Sequence, residues 1–316
     1  MASPRFAVFG AGGVGGYFGG VLARAGYWTA VIARGEHLKA IQSHGLQILS
    51  PKGDFTVAPA IASDNPQQIG PVDAVILAVK AWQVPEAARA MAPLLKPGSQ
   101  VLPLENGVEA PAQLEEILGR EHTLIGLCRI SSFVAGPGQI RHAGLEPTVL
   151  LGELNGSTLS PNAQLLADAL AAAGVVVETP RDMRAALWEK LIFIAGLSGL
   201  GAVARATVGE LRQCPPTRAL LQQLMEEVAA VGRSRGIQLG ADIVSRTLAF
   251  VDSIPAGATA SMQRDIVDGK PSELEAIIGA VVRFGASSGV PTPAMQYVYA
   301  SLLPQEQRTR KSVRAA

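Results

Sequence analysis

The sequence is poor in charged and aromatic residues and contains little cysteine. Charged residues make up 17% and aromatic residues 5% of the 316 positions, and the formal net charge is +1. This balance gives no electrostatic reason to expect a nucleic-acid or membrane-surface partner. The two cysteines, Cys128 and Cys214, lie far apart, and the four histidines show no metal-ligand spacing. We therefore expect neither a disulfide framework nor a bound metal.

Long hydrophobic runs and targeting segments are also missing. The apolar stretch from Leu191 to Ala204 is shorter than the roughly 20 residues that a membrane-spanning helix needs. The first five residues have no signal-peptide pattern. We expect a cytoplasmic protein without a membrane partner. At 48% hydrophobic residues, the chain is long and apolar enough for two domains. The sequence leaves monomer and homodimer open.

Glycine, by contrast, is abundant, and it is concentrated near the start. An apolar strand pattern ends at Phe9 and is followed by Gly10-x-Gly12-x-x-Gly15 and then by a helical pattern. In a dinucleotide-binding turn the first glycine permits the turn, the second lets the backbone approach a pyrophosphate, and the third lets helix pack on strand. An ordinary glycine-rich turn is the alternative. The second apolar strand, Tyr27 to Ile32, favours the dinucleotide site.

The residue after the second strand discriminates between cofactors. An acid here would accept hydrogen bonds from the ribose hydroxyls of NAD, whereas an arginine can bind a 2′-phosphate. The chain has Arg34 at this place. Arg34 therefore indicates NADP(H), and the alternative is a solvated arginine at the start of a loop.

The order of apolar segments predicts an α/β fold. Short strands alternate with helices through the first half, and from Pro180 onward only long helical patterns remain. We predict a doubly wound sheet domain over residues 1–179, an all-helical domain over 180–304 and a flexible basic tail over 305–316. A hairpin near residues 46–57 is expected to extend the sheet, and a strand at 174–178 to close it.

Polar residues follow two of the predicted strands. Lys80 directly abuts a buried apolar run, and Asn106 follows the next strand. Ligands of open α/β sheets bind at the carboxyl ends of the strands, so both side chains are candidates. A solvated lysine and a simple Asn-Gly turn are the alternatives.

The helical half holds three further candidates. Lys190 lies in an otherwise apolar helix, where its ammonium must reach water, a carboxylate or a substrate. Ser261 opens a short polar segment. Glu273 follows Ser272 before an apolar helix, and its simplest role is to complement the helix dipole beside a serine cap.

Taken together, these motifs resemble those of the 2-dehydropantoate 2-reductase (ketopantoate reductase) family over nearly the whole chain. That family has an N-terminal Rossmann domain and an all-helical second domain. The matching segments, besides the glycine motif, are Ile32-Ala-Arg34-Gly-Glu-His37, Val79-Lys80-Ala-Trp-Gln83, Glu105-Asn106-Gly107, Trp188-Glu-Lys190-Leu191 and Ala260-Ser261-Met262 with Asp265 and Glu273.

The resemblance implies a reaction and a role for each residue. The reaction is hydride transfer from NADPH to C2 of ketopantoate, which gives pantoate for pantothenate biosynthesis. Lys190 is implied as the general acid, Asn106 and Ser261 as residues that orient the substrate, and Glu273 as its hydrogen-bonding partner. Lys80 and Asn106 are implied to border the cofactor, with Arg34 on the 2′-phosphate.

The chain departs from the family pattern in the substrate pocket. Family members commonly have asparagines where this chain has Ile194, Ser198 and Ala258. Because Ile194 and Ser198 follow Lys190 by four and eight residues on one helix, we expect both to flank the substrate. Another branched 2-oxo acid is therefore an alternative substrate. A second alternative is a non-catalytic NADP(H)-binding redox sensor. The pair Lys190 and Glu273 favours an enzyme, because a sensor has no use for a desolvated lysine.

Overall fold

The computed structural model describes residues 3–156 and 158–315. The strands are β1 Arg5–Phe9, β2 Trp28–Ile32, β3 Leu46–Leu49, β4 Phe55–Val57, β5 Ile61–Ser63, β6 Ala74–Leu77, β7 Gln100–Pro103, β8 Leu124–Arg129, β9 Ser132–Gly136, β10 Gln139–His142, β11 Thr148–Glu153 and β12 Val176–Glu178. The α-helices are α1 Gly13–Arg24, α2 Gly35–His44, α3 Val84–Ala90, α4 Ala110–Leu118, α5 Pro161–Ala172, α6 Met183–Ala204, α7 Val208–Gln213, α8 Pro215–Ser234, α9 Ile243–Ser253, α10 Ser261–Val267, α11 Ala280–Ser288 and α12 Pro293–Ala315.

The chain divides into two compact units. Unit 1 consists of Met1–Glu105 and Ala110–Met183, and unit 2 of Asn106–Glu109 and Arg184–Ala316. The main division thus follows Met183, whereas the sequence pattern put it near residue 179. The loop of residues 106–109 follows β7 in the sequence, but its contacts assign it to unit 2.

A five-stranded parallel sheet forms the centre of unit 1. Its order is β5-β2-β1-β6-β7, with the first strand central and the chain winding outward in both directions, as in nucleotide-binding α/β folds. The apolar runs account for this arrangement, since β6 and β7 are buried along their whole length and parallel strands are covered on both faces. The predicted α/β fold with a helical second domain is confirmed.

Two smaller sheets accompany the parallel sheet, whereas the sequence predicted that all strands would join one sheet. The pair β3 and β4 is antiparallel as expected, but it lies in a sheet of order β4-β3-β10-β9. Strand β12 pairs with β11 in a sheet of order β12-β11-β8 instead of closing the parallel sheet. The predictions for both elements were wrong, because β3 pairs with β10, about 90 residues later, and hydrophobic patterns do not show which distant strands will pair.

Helix α6 packs closely against other helices of unit 2. Its glycines permit close packing, since a Cβ on Gly196 would lie 3.0 Å from Met225 of α8, and one on Gly199 would lie 2.9 Å from Val298 of α12. Among the described helices, α6 alone is long and apolar enough to cross a membrane, but 67% of its most apolar stretch is buried in the protein. A helix in the core of a folded domain shows the same length, apolar composition and burial.

The segment predicted as a flexible tail is helical. Helix α12 continues to Ala315, and residue 316 lies outside the described residues. Its start is fixed by the buried carboxylate of Glu227, which accepts hydrogen bonds from the N–H groups of Ala294 and Met295 at 2.9 Å each. Glu306, inside the predicted tail, is only 3% exposed. The polar composition of this segment reflects a helix with one buried carboxylate, which composition alone does not show.

Candidate active site

The glycine turn between β1 and α1 has the geometry that a pyrophosphate requires. Gly10 has φ +100°, and a Cβ on Gly15 would lie 2.1 Å from the Gly10 carbonyl oxygen. Around Gly12, no described atom lies within 4 Å of the Cβ position. Gly12 caps α1 without a side-chain hydrogen bond, so no cap side chain competes for the N–H groups of the first turn. These features fit a dinucleotide phosphate at the helix N-terminus.

His37 supports this turn, and sequence reasoning missed its role. Its Nδ1 accepts a hydrogen bond from the Gly138 N–H at 3.0 Å, so the proton lies on Nε2, which donates to the Ala11 carbonyl at 2.9 Å. The imidazole therefore joins the glycine turn to the turn that precedes β10. The sequence pattern gave no signal for this contact, because Gly138 is 101 residues away.

Arg34 follows β2 and precedes α2, as predicted. Its side chain is 68% exposed, and its Nη2 lies 3.9 Å from Glu86 Oε1, which is itself 76% exposed. An ion pair this long and this exposed contributes little. The guanidinium can therefore exchange this contact for a phosphate.

Lys80 follows the end of β6 in unit 1. The preceding Val79 N–H donates to the buried carboxylate of Glu105 at 3.1 Å, and the Lys80 N–H donates to Gln83 at 3.2 Å. The Lys80 ammonium lies 5.9 Å from the centre of the Trp82 ring, within the range of a cation–π contact. Glu105 thus fixes the backbone next to Lys80.

Asn106 and Glu273 meet in unit 2. Asn106 Nδ2 donates to Glu273 Oε2 at 3.0 Å, across 167 positions of sequence. Glu273 is 6% exposed and Asn106 is half-buried. The close approach requires a glycine at position 107, where φ is +105° and a Cβ would lie 2.9 Å from the Ala276 carbonyl oxygen. The sequence motifs named both residues, and the structure brings them together.

Lys190 and Ile194 lie one turn apart on α6. Both are half-buried, while the intervening Leu191 and Ile192 are fully buried. Side chains at this spacing project from the same helix face. The two residues therefore form a partly open stripe beside these buried positions.

Ser198 does not extend this stripe, contrary to the sequence expectation. It is 2% exposed, and its hydroxyl donates to the Ile194 carbonyl of the preceding turn. Its Oγ also lies 4.0 Å from the sulfur of Met262. Serine commonly bonds back to its own helix in this way. Its donor is used within the protein, so it is not available to a substrate.

Ser261 is exposed at the first position of α10. The neighbouring Gln263 holds this turn, because its Oε1 accepts from the Ala260 N–H at 3.3 Å and its Nε2 donates to the Ala206 carbonyl at 2.8 Å. Ala258, where the family commonly has an asparagine, contributes its carbonyl oxygen to the Val208 N–H at 3.0 Å.

A charged cluster that sequence reasoning also missed surrounds the Asn106 loop within unit 2. Arg283 contacts Glu109 at 3.0 and 3.2 Å and Glu275 at 3.1 Å. Tyr299 donates to Glu275 at 2.6 Å. Burial and the hydrogen bond to this carboxylate raise the pKa of Tyr299 to about 12. The cluster links the loop carrying Asn106 to the π-helical turn Glu275–Gly279, a type of turn that is frequent at functional sites.

Comparison with known proteins identifies the family. Residues 6–156 match the family model described as ketopantoate reductase PanE/ApbA, and residues 182–306 match that of its C-terminal part. The 2-dehydropantoate 2-reductase of Halobacterium salinarum is 30% identical over 296 residues, which cover 92% of this chain and 95% of that protein. The chain belongs to the ketopantoate reductase family.

Solved structures agree with this assignment. The crystal structure of a PanE/ApbA family ketopantoate reductase from Ralstonia eutropha JMP134 is 33% identical, covers 97% of this chain and 99% of its own, and has a TM-score of 0.88. A D-mandelate dehydrogenase in complex with NADH is 25% identical, with 96% and 99% coverage and a TM-score of 0.85. As a member of the ketopantoate reductase family, the protein is an oxidoreductase that uses a pyridine nucleotide.

Residues 3–156 and 158–315 contain no group of three His, Cys, Asp or Glu side chains that could hold a metal ion. In unit 2 the amide of Asn106 contacts the carboxylate of Glu273, and Lys190 lies on α6 of the same unit. Such a set suits hydrogen bonding and proton transfer to a carbonyl substrate.

Proposed function

We propose that the protein reduces 2-dehydropantoate (ketopantoate) to pantoate with NADPH, the reaction type of pantothenate biosynthesis. The Asn106–Glu273 hydrogen bond carries this proposal. It joins two residues that the family motifs name for the substrate, and both belong to the same compact unit as Lys190. A redox sensor would need the glycine turn and Arg34 but no such pair.

The proposed chemistry is reduction of a 2-oxo acid carbonyl. The reduced nicotinamide, when bound, supplies the hydride that the C2 carbon accepts. As the carbonyl oxygen gains negative charge, the ammonium of Lys190 stabilises it and donates the proton that completes the hydroxyl group. The ammonium stabilises the developing negative charge until it gives up the proton and becomes a neutral amine.

Glu273 and Asn106 are proposed to orient the substrate. A buried carboxylate accepts hydrogen bonds, so Glu273 suits a hydroxyl group of the oxo acid. Asn106 uses one of its two N–H donors on Glu273, which holds the carboxylate in one orientation. Ser261, exposed at the start of α10, is proposed to bind the substrate with its hydroxyl.

NADPH is the proposed cofactor, and Arg34 is the reason. The exposed guanidinium follows β2, where a bidentate contact to a 2′-phosphate is geometrically favourable. The glycine turn is proposed to bind the pyrophosphate. Lys80 and Asn106 are proposed to border the nucleotide.

An alkyl-substituted 2-oxo acid is a second candidate substrate. Ile194 gives the Lys190 stripe an apolar neighbour, and the Ser198 hydroxyl is used within its own helix. The similarity to a D-mandelate dehydrogenase supports this alternative, since mandelate has no hydroxymethyl group either.

A substrate panel tests the proposal. NADPH absorbance is followed with ketopantoate, 2-oxoisovalerate and an unbranched 2-oxo acid, and each is repeated with NADH. We expect the highest kcat/KM for ketopantoate with NADPH. A higher value for 2-oxoisovalerate would favour the second candidate, and no oxidation with any oxo acid would favour the sensor.

A further inference from the structure

Ser272, the residue before Glu273, is held by helix α12 through all of its polar groups. It is 0% exposed. Its N–H donates to both carboxylate oxygens of Glu306 at 3.1 Å, and its hydroxyl donates to Glu306 Oε2 at 2.6 Å. Its carbonyl oxygen accepts from Arg310 Nη2 at 2.7 Å. As a serine cap, the Ser272 hydroxyl also accepts from the Leu274 N–H at 3.3 Å, and this role requires none of the contacts with α12.

Glu306 and Arg310 act as a unit on this one residue. Arg310 Nε donates to Glu306 Oε1 at 2.5 Å, one helical turn along α12, and the two side chains are 26% and 3% exposed. A buried carboxylate is costly unless its oxygens are fully hydrogen-bonded. Here the pair satisfies the requirement only when Ser272 occupies its observed position. The ion pair of Glu306 and Arg310 therefore fixes the position of the Ser272 backbone.

The helix that carries the pair is itself fixed. Its N-terminal N–H groups bond to Glu227, and Val298 and Leu302 are buried on the side facing the core. In addition, Gln305 Nε2 donates to the Ile266 carbonyl of α10 at 2.5 Å. Helix α12 thus offers a rigid support for the pair.

On its other side, Glu273 is held by the turn that follows it. Its carbonyl oxygen accepts from the N–H groups of Ala276 and Ile277 at 3.1 and 3.0 Å. The backbone is therefore fixed immediately before and immediately after Glu273. The direction of the Glu273 carboxylate, and its contact with Asn106, follow from this double constraint.

We propose that Glu306 and Arg310 are positioning residues for Glu273, and that helix α12 thereby sets the affinity for the 2-oxo acid. The inference rests on the proposed function, since it takes Glu273 as a substrate-binding residue. It also gives the polar C-terminal segment a role in the reaction.

Two variants and a matched control, made in the full-length protein, test whether Glu306 and Arg310 position Glu273. Glu306→Gln keeps the size but removes the charge, and Arg310→Lys keeps the charge but loses the planar fork that reaches Glu306 and Ser272 together. Arg308→Ala is the control, because Arg308 is exposed on the same helix. We expect KM for the oxo acid to rise about tenfold in Glu306→Gln and less in Arg310→Lys, as for loss of one charge-assisted hydrogen bond. The KM for NADPH should stay at the parent value in both variants, and kcat should change by a smaller factor than the KM for the oxo acid. In the control Arg308→Ala, all of these constants should equal those of the parent.

A double-mutant cycle separates positioning from simple stabilisation. If Glu306 acts through Glu273, its substitution should have almost no further effect on oxo acid affinity in a Glu273→Gln background. Affinity measured by calorimetry replaces KM if that background turns over too slowly. A loss of thermal stability alone would not produce this coupling.

The outcomes separate this inference from the proposed function. An active parent in which Glu306→Gln matches Arg308→Ala overturns the inference and leaves the proposed function standing. An equal KM increase in the parent and Glu273→Gln backgrounds also overturns the inference. A parent that reduces no 2-oxo acid overturns both.

Discussion

Asn106 Nδ2 donates a hydrogen bond to Glu273 Oε2 at 3.0 Å. The amide belongs to a four-residue loop that leaves the parallel sheet after β7 yet packs within the helical unit. Its partner lies just before a π-helical turn. The amide donor holds the carboxylate in one direction, which is the arrangement that the proposed substrate contact requires.

Substitution of Lys190 should abolish most of the turnover. General acid catalysis contributes about 10²- to 10⁴-fold, and stabilisation of the developing charge adds to it. We expect Lys190→Ala to lower kcat by at least about a hundredfold while NADPH affinity is retained. Arg184→Ala removes a charge from an exposed position of the same helix and should leave kcat unchanged. A Lys190→Ala variant with most of its turnover would move the acid role elsewhere, and Lys80 would then be the next residue to test.

Substitution of Arg34 should change the cofactor preference. Loss of a charge-assisted contact to the 2′-phosphate costs roughly 1.5–3 kcal/mol, which is about ten- to a hundredfold in affinity. We expect Arg34→Ala to weaken NADPH binding by this factor and to leave NADH binding nearly unchanged. Lys39→Ala, an exposed cation on α2, is the control. Equal kcat/KM for the two cofactors in the parent would contradict the assignment.

Ile194 should influence substrate choice. It lies one turn from Lys190 on the same face of α6, and it offers no hydrogen bond to the hydroxyl of ketopantoate. A hydroxyl desolvated without a partner costs roughly 1–3 kcal/mol. We expect Ile194→Asn to raise the ratio of kcat/KM for ketopantoate to that for 2-oxoisovalerate. A ratio that stays constant or moves toward the alkyl substrate would show that Ile194 only packs the helix.

Tyr299 should ionise late in an alkaline titration. Burial and the Glu275 hydrogen bond raise its pKa to about 12, because both favour the neutral phenol. Its contribution to stability is therefore complete below the ordinary tyrosine pKa of about 10 and is lost as the pH rises through about 12. In an absorbance titration of tyrosinate, Tyr299→Phe should remove part of the latest phase. A latest phase that is unchanged in Tyr299→Phe would contradict the prediction.

The sequence predicted the parts of the fold that depend on local patterns. The strand ending at Phe9, the glycine motif and the helical second half were visible, because each arises from residues close together in the chain. The separate small sheets were not, since the partners β3 and β10 lie far apart. The same limit explains why His37 and Gly138 were missed as a pair.

The candidate site shows the same distinction. Asn106, Lys190 and Glu273 could be named from motifs, but the contact between the first and the last could not be derived from spacing. Ser198 was expected on the open face of α6, because it follows Lys190 by eight residues. The structure buries it instead, and its hydroxyl bonds within the helix. The burial of Glu306 could not be predicted, because the residues around it are polar and the segment was expected to be a flexible tail.

We propose that hydride passes from NADPH to C2 of ketopantoate. The most direct measurement uses NADPH carrying deuterium at the transferable position of the nicotinamide, with mass spectrometry of the product. We predict pantoate with one deuterium at C2, formed in amounts equal to the NADPH consumed, and no pantoate from Lys190→Ala on the same time scale. Oxidation of NADPH without labelled pantoate, or labelled pantoate at the parent rate from Lys190→Ala, would contradict the account.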